Sequence, residues 1–352
     1  MKKLLSIAIV LLLSQGLTGN LFSQVNNQKE GRAVWVSSTN FVLEKDKAVT
    51  QIKKTLDQYR SIGINTLYCF SSMPDQNNKN WDFLNVFIEA AHSRDMEVHP
   101  VFCPGGGVKL EGVIKQHPEW LIRGKKREIY SQLNLVHLGA QDYILGKISE
   151  ALKYNIDGIQ LDYIRFQVNQ GFSYDEANCS AFKKEFGISP LEIKHQDGGN
   201  PMWCEWIKWN ARQIENFVRR IRELMDENGK NVTLSADVFP DHETAKVEIG
   251  QDWGQWANEE LIDVYCPMLY TDNNNVFRRG VRAAVKLNKG KKGMVYAGIG
   301  IRSAHNNATP ENVALQVQIA REEGADGVVF FYGPYLTEDF VNELKSDVFI
   351  MK

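Results

Sequence analysis

Two aspartates occupy the same phase of two alternating apolar runs. In DGIQLDYIRF (157–166), Ile159, Leu161 and Tyr163 fall on one side of an extended chain and Gln160 and Asp162 on the other. In TLSADVF (233–239), Leu234, Ala236 and Val238 alternate with Ser235, Asp237 and Phe239. If the apolar sets face a protein layer, both aspartates point away from it and toward each other. Two such carboxyl groups supply a proton donor and a nucleophile or base, the equipment for cleaving a glycosidic bond. Side chains suited to holding a sugar lie in or just after strand-like runs: Trp35, His99, Tyr163, Arg165, Tyr270 and Tyr332. Asp272, two residues after Tyr270, is a further catalytic candidate, and Asp241 a reserve. Plainer roles compete: Asp162 paired with Arg165, His99 as a core histidine, and Asp157, Asp263 and Asp326 as turn residues at strand starts. Trp203, Trp206 and Trp209 share one helical face and are expected to pack rather than to form a sugar platform.

The elements that would position these groups are regular. Eight short β-branched or aromatic runs start at residues 32, 65, 97, 157, 232, 263, 293 and 327, mostly about 32 residues apart. Amphipathic stretches with helix-end signals separate them, as in ATPENVALQVQIAREEGADG, where Thr309 can cap, Pro310 suits the first turn and Gly324 can close. Strand and helix alternating eight times predict an α/β fold, a single (β/α)8 TIM barrel over 25–352. An open doubly wound sheet would carry a Gly-rich phosphate loop after the first strand, where SSTNFVLEKD stands instead. In a barrel the chemistry gathers where strands end. The two wide gaps, after the third and fourth strands, are therefore long βα loops over the active face. Gly105–Gly107 in the first of them is expected to act as a hinge.

Composition narrows the function. With 352 residues and 43% hydrophobic content the chain can bury a large core, and 41 basic against 43 acidic residues leave no footprint for nucleic acid. Residues 1–24, with Lys2 and Lys3, a short apolar run and a polar end, have the layout of a signal peptide, so the chain is expected to be exported to the periplasm or beyond, without stable membrane insertion. Of five cysteines, Cys69, Cys103 and Cys266 sit in apolar runs and are expected to be buried thiols, while Cys179 and Cys204 can pair. No zinc spacing, HxH or GxSxG occurs, so neither a metal, a cofactor nor a serine nucleophile is expected.

Several separate segments carry a resemblance: GRAVWVSSTN, AHSRDMEVHPVF, HPEWL, DGIQLDYIRF, SADVF and DVYCPMLY. Together they resemble the bacterial family-10-like glycosyl hydrolases, over about residues 31–340. The resemblance implies a (β/α)8 barrel and an exported enzyme acting on polysaccharide, in some relatives peptidoglycan glycan strands or amino-sugar exopolysaccharides. It carries the strand-4 aspartate of the motif onto Asp162 and that of SADVF onto Asp237. Two departures stand out: Gln167 replaces the usual proline after IRF, and Pro240 with Asp241 replaces a common glycine. The strand also lines up with the strand-4 motif of family-18 chitinases, but Ile164 occupies the position of their proton-donating glutamate. The layout is closer to that of the α-amylase and α-galactosidase lineages.

The expectation is an exported glycoside hydrolase with a carbohydrate substrate. Asp162 would be nucleophile or charge stabiliser, Asp237 the preferred acid and Asp272 the alternative. Competing readings are a glycan-binding barrel without turnover, a peptidoglycan glycan-strand hydrolase, and a lyase or transglycosidase using the same residues. The sequence sets no oligomeric state.

Overall fold

All eight expected strands form, and they hydrogen-bond in parallel around a closed barrel. The computed structural model describes residues 30–71, 81–194, 196 and 198–345, so the expected signal peptide at 1–24 lies outside the described residues. In chain order the strands are β1 (Gly31–Ser37), β2 (Thr66–Phe70), β3 (Glu97–Phe102), β4 (Leu121–Arg123), β5 (Ile129–Leu133), β6 (Gly158–Leu161), β7 (Thr233–Val238), β8 (Val264–Pro267), β9 (Met294–Gly300) and β10 (Gly327–Phe331). β4 and β5 stand outside the barrel as a two-stranded antiparallel hairpin. The barrel runs β1-β10-β9-β8-β7-β6-β3-β2, closing where β1 pairs with both β10 and β2.

Helices fill the connections: α1 (Lys45–Ser61), α2 (Phe83–His92), α3 (Gly112–Gln116), α4 (Leu138–Ala151), α5 (Glu176–Phe186), α6 (Pro201–Glu227), α7 (His242–Ile249), α8 (Trp253–Asn258), α9 (Asn274–Asn288), α10 (Pro310–Glu322) and α11 (Glu338–Glu343). Their apolar faces and the outward strand residues Ile159, Leu161, Leu234, Ala236 and Val238 make one continuous outer core. A smaller core fills the barrel itself, built around Ala33, Trp35, Tyr68, Val101, Val264, Cys266 and Val329. α10 starts as its sequence signals, with the Thr309 hydroxyl accepting from Asn312 N at 3.3 Å. α6 starts at Pro201, because Asn200 Oδ1 accepts from Met202 N and Trp203 N. Trp206 and Trp209 are buried against Phe182, as a packing face requires. No helix among the described residues is long and apolar enough to cross a membrane.

Four side chains at the bottom of the barrel repeat one device. Asn65, Asp157, Asp263 and Asp326 each immediately precede a strand, and each accepts from a backbone N–H near the start of the strand before it. The bonds are Arg32 N to Asn65 Oδ1 (2.9 Å), Val98 N to Asp157 Oδ2 (2.8 Å), Leu234 N to Asp263 Oδ2 (2.7 Å) and Val295 N to Asp326 Oδ2 (2.8 Å). The three aspartates are thus more than turn residues: each fixes the register of a strand pair at the end remote from the mouth. Asp263 also holds Arg222 of α6 at 2.7 Å. Replacing Asp263 with Ala leaves the Leu234 N–H without its acceptor and should cost about 1–3 kcal/mol. Urea unfolding of Asp263→Ala checks this, and an unchanged midpoint would remove the clamp from the account.

Candidate active site

β6 ends at Leu161, sooner than its apolar alternation suggests. Tyr163 has φ of 50°, in the left-handed region that a bulky side chain rarely adopts, and this turns the chain out of the barrel wall. Ile164, rather than Tyr163, then rejoins the outer core. The turn is held from β3: Asp162 N donates to Phe102 O at 2.8 Å and Gly105 N to Tyr163 O at 2.8 Å. A Cβ on Gly105 would lie 2.2 Å from Arg165 O and 2.6 Å from Tyr163 O, so only glycine permits the approach. Gln167 Nε2 donates to Gly105 O at 2.7 Å, a bond that proline at this position lacks. The expected glycine hinge is therefore a clasp, because its first residue is bonded to the turn that presents Asp162.

Asp162 sits half-buried on this turn, its Oδ1 accepting from Tyr163 N at 2.7 Å. Asp237 faces the same space from β7 and is 3% exposed. Leu161 is registered opposite Ala236, so the next positions along the two strands are those of the aspartates. Gln160 Nε2 donates to Asp237 Oδ1 at 2.5 Å. Gln251 Nε2 bonds Asp237 O at 3.0 Å while its Oε1 accepts from Phe239 N at 2.8 Å, fixing the end of β7. The buried indole N–H of Trp35 also acts on Asp237, favouring its charged form.

These surroundings separate the two carboxyl groups. Burial pushes Asp162 up to about 6, against the opposing pull of the Tyr163 N–H and the Arg165 charge. Burial, reinforced by the negative charge of Asp162, drives Asp237 well above the carboxylate range, against Gln160, Arg165 and the Trp35 dipole. Of the two, Asp237 has the surroundings that favour the proton more, so a proton shared by the pair resides on Asp237 and the charge on Asp162. Arg165 serves both without pairing with either. Its guanidinium lies 4.4 Å from the Tyr163 ring and 4.7 Å from that of Phe239, and donates to Phe166 O at 3.1 Å. Among the described residues it has no carboxylate within 4.0 Å, so the Asp162–Arg165 ion pair considered from sequence does not form.

The structure gathers some of the other expected residues at this mouth. Tyr270 stacks on Phe331 at 5.1 Å and meets Trp35 edge-on at 6.4 Å; burial first, then both aspartate charges, drive its hydroxyl well above its ordinary value. Tyr332 Oη accepts from Asn40 Nδ2 at 2.9 Å, and its ring meets Tyr335 at 5.3 Å. Trp35 is buried inside the barrel beneath these rings. His99 is deeper still, buried beside Tyr68 at 5.4 Å and against Gly158. Asp272 is not brought to the pair: it binds Asn307 N at 3.0 Å and joins the loops after β8 and β9. Asp241 caps α7 through Thr244 N at 2.8 Å.

Cysteines depart from expectation in two ways. Cys69 and Cys266 are buried, but Cys103 is exposed at the mouth, its Sγ 4.0 Å from Asp162 Oδ2. Desolvation of the thiol, then the charges of Asp162 and Asp237, push it far up, so it remains a thiol. Cys179 and Cys204 are free, one buried and one half-buried, rather than paired. Gln160 was placed in the barrel from sequence without a role. Its inward phase, two residues before Asp162 and beside the strand of Asp237, was the available signal. Among the described residues no cluster of three or more His, Cys, Asp or Glu side chains forms a metal site.

A raised carboxyl pKa favours the folded state at low pH, and that contribution is lost progressively as pH rises from the unfolded value through the folded one. Asp237→Asn removes the charge yet keeps an acceptor for Gln160. Its melting temperature should exceed the wild type's by several degrees near pH 8, with a smaller gain near pH 5. Calorimetry at the two pH values checks this; equal melting temperatures at both would contradict the raised pKa.

Residues 70–313 match the family described as glycosyl hydrolase-like 10. No curated protein matches the sequence at a significant level. Among solved structures, the PgaB (BpsB) glycoside hydrolase domain from Bordetella bronchiseptica superposes with a TM-score of 0.74 at 13% identity, covering 92% of this chain and 100% of that one. A β-galactosidase from the psychrophilic Marinomonas ef1 gives 0.68 at 12% identity, over 90% of this chain and 58% of that one. The catalytic domain of β-amylase from Paenibacillus polymyxa gives 0.63 at 12% identity, over 91% and 97%. At these identities the structural likeness speaks for the fold, a TIM barrel shared with glycoside hydrolases. The match over 70–313 goes further: this chain belongs to the glycosyl hydrolase-like 10 family.

Proposed function

We propose that the protein is an exported glycoside hydrolase that cleaves a polysaccharide or oligosaccharide with Asp162 and Asp237. One observation carries the proposal: two aspartates side by side at the open end of the barrel, in surroundings that favour the proton on Asp237 and the charge on Asp162. Glycosidic cleavage needs that asymmetry, because the leaving oxygen requires a proton while the anomeric carbon requires a negative charge or nucleophile beside it. Asp237 is the proton donor and Asp162 the charged partner. Arg165 keeps Asp162 ionised without occupying its oxygens, and Gln160 holds one oxygen of Asp237 so that the other carries the acidic proton. Tyr270, Tyr332 and Tyr163 offer ring faces and hydroxyls to a sugar at the mouth. The layout of residues 1–24 supports export.

A panel of peptidoglycan strands and of plant and host polysaccharides, digested by wild type, Asp162→Asn and Asp237→Asn, tests the proposal. The wild type should release sugars from at least one glycan, and each variant should lose roughly a hundredfold or more in kcat while retaining binding. Binding without turnover across the panel would instead favour a barrel that only captures glycan.

A further inference from the structure

We infer that hydrolysis here runs by double displacement, with Asp162 forming a glycosyl ester, so that the anomeric configuration is retained and alcohols can replace water as acceptors. The inference rests on the proposed glycosidase function and adds its stereochemical course.

The strand register places the two aspartates side by side. Asp162 and Asp237 follow the registered pair Leu161 and Ala236, both project into the barrel mouth, and neighbouring strands lie about 5 Å apart. Carboxyl groups about 5–5.5 Å apart flank an anomeric carbon closely enough for direct attack, whereas inversion needs about 6.5–9.5 Å to seat a water between base and sugar. The surroundings leave little freedom to widen the gap. Gln160 holds Asp237 Oδ1 from below, the Tyr163 N–H holds Asp162 Oδ1, and the Gly105 clasp fixes the turn. Other aspartates in the loops above the strands are engaged elsewhere: Asp241 caps α7, Asp252 binds His242 and Lys246, and Asp272 binds the loop after β9. Each of these three carboxylates is thus held by partners outside the pair.

An Asp162 oxygen forms a bond to the anomeric carbon as the glycosidic C–O bond breaks, and the Asp237 proton passes to the leaving oxygen. The aglycone departs as an alcohol, leaving a glycosyl ester on Asp162 and a carboxylate on Asp237. Water then attacks the same carbon and gives a proton to Asp237 as the ester C–O bond breaks, restoring both groups. Two inversions give net retention. An alcohol in place of water yields a glycoside of the same configuration.

The test uses the full-length wild type. Dinitrophenyl α- and β-glycosides of glucose, galactose and N-acetylglucosamine, together with any panel glycan that it cleaves, are digested inside the NMR tube, with and without methanol. The first reducing sugar released should have the configuration of the bond cleaved, and methanol should give the methyl glycoside of that configuration. With sodium azide, Asp237→Ala should yield a glycosyl azide of retained configuration and Asp162→Ala one of inverted configuration. A first product of opposite configuration, with no methyl glycoside, overturns the inference and leaves the glycosidase intact. Absence of turnover on every substrate overturns the glycosidase proposal itself, and the inference with it.

Discussion

Two carboxyl groups on neighbouring strands, both turned into a space with little water, cannot both be charged. That repulsion between Asp162 and Asp237 is the constraint around which the rest of the barrel is arranged. Burial alone would raise both groups, and a fold that merely buried them would neutralise both. The asymmetry comes from what each one touches. The field of Arg165 reaches both, but Asp162 receives a backbone N–H on a half-buried turn, whereas Asp237 sits deeper, against a neutral amide and the negative charge of its neighbour.

The supporting parts act at two distances. Nearby, the clasp between the loop after β3 and the turn after β6 fixes where Asp162 points, and Gln251 ties off β7 beneath Phe239. The same Phe239 ring covers one face of Arg165, so the end of β7 positions both the acid and the cation. Farther away, the four side-chain clamps at the barrel bottom hold strand pairs in register, and register puts the aspartates level. The hairpin of β4 and β5 joins the two long loops: Val108 N bonds Ser131 O at 2.8 Å and Tyr174 N bonds Arg123 O at 2.7 Å. The two long loops thus make one connected rim there.

Much of this was legible in the sequence because strand alternation has a strict period of two. That period put Gln160 and Asp162 inside and Ile159 and Leu161 outside, and did the same for Ser235 and Asp237. The strand spacing gave the barrel, and the barrel gave the face where the chemistry lies. What escaped was set by contacts between distant segments. Tyr163 leaves the strand in a left-handed turn that no local signal marks. Gly105 looks like any flexible glycine until the turn after β6 is packed upon it. The inward phase of His99 was readable but its depth was not, since depth depends on how strands are staggered around the barrel. Asp272 lies soon after a strand, as a catalytic residue would, and is drawn aside by the backbone of Asn307. Cys103 falls in an apolar run, yet it stands past the end of β3 where the wall has opened.

The central claim is a single proton held unequally by the pair, and carboxyl-carbon NMR of aspartate-labelled protein measures it most directly, with Asp162→Asn and Asp237→Asn providing the assignments. The account predicts that the Asp162 signal moves with a midpoint of about 6 and that the Asp237 signal still reports a protonated acid at that pH. Two signals that both titrate near the ordinary aspartate value of about 4 would contradict it.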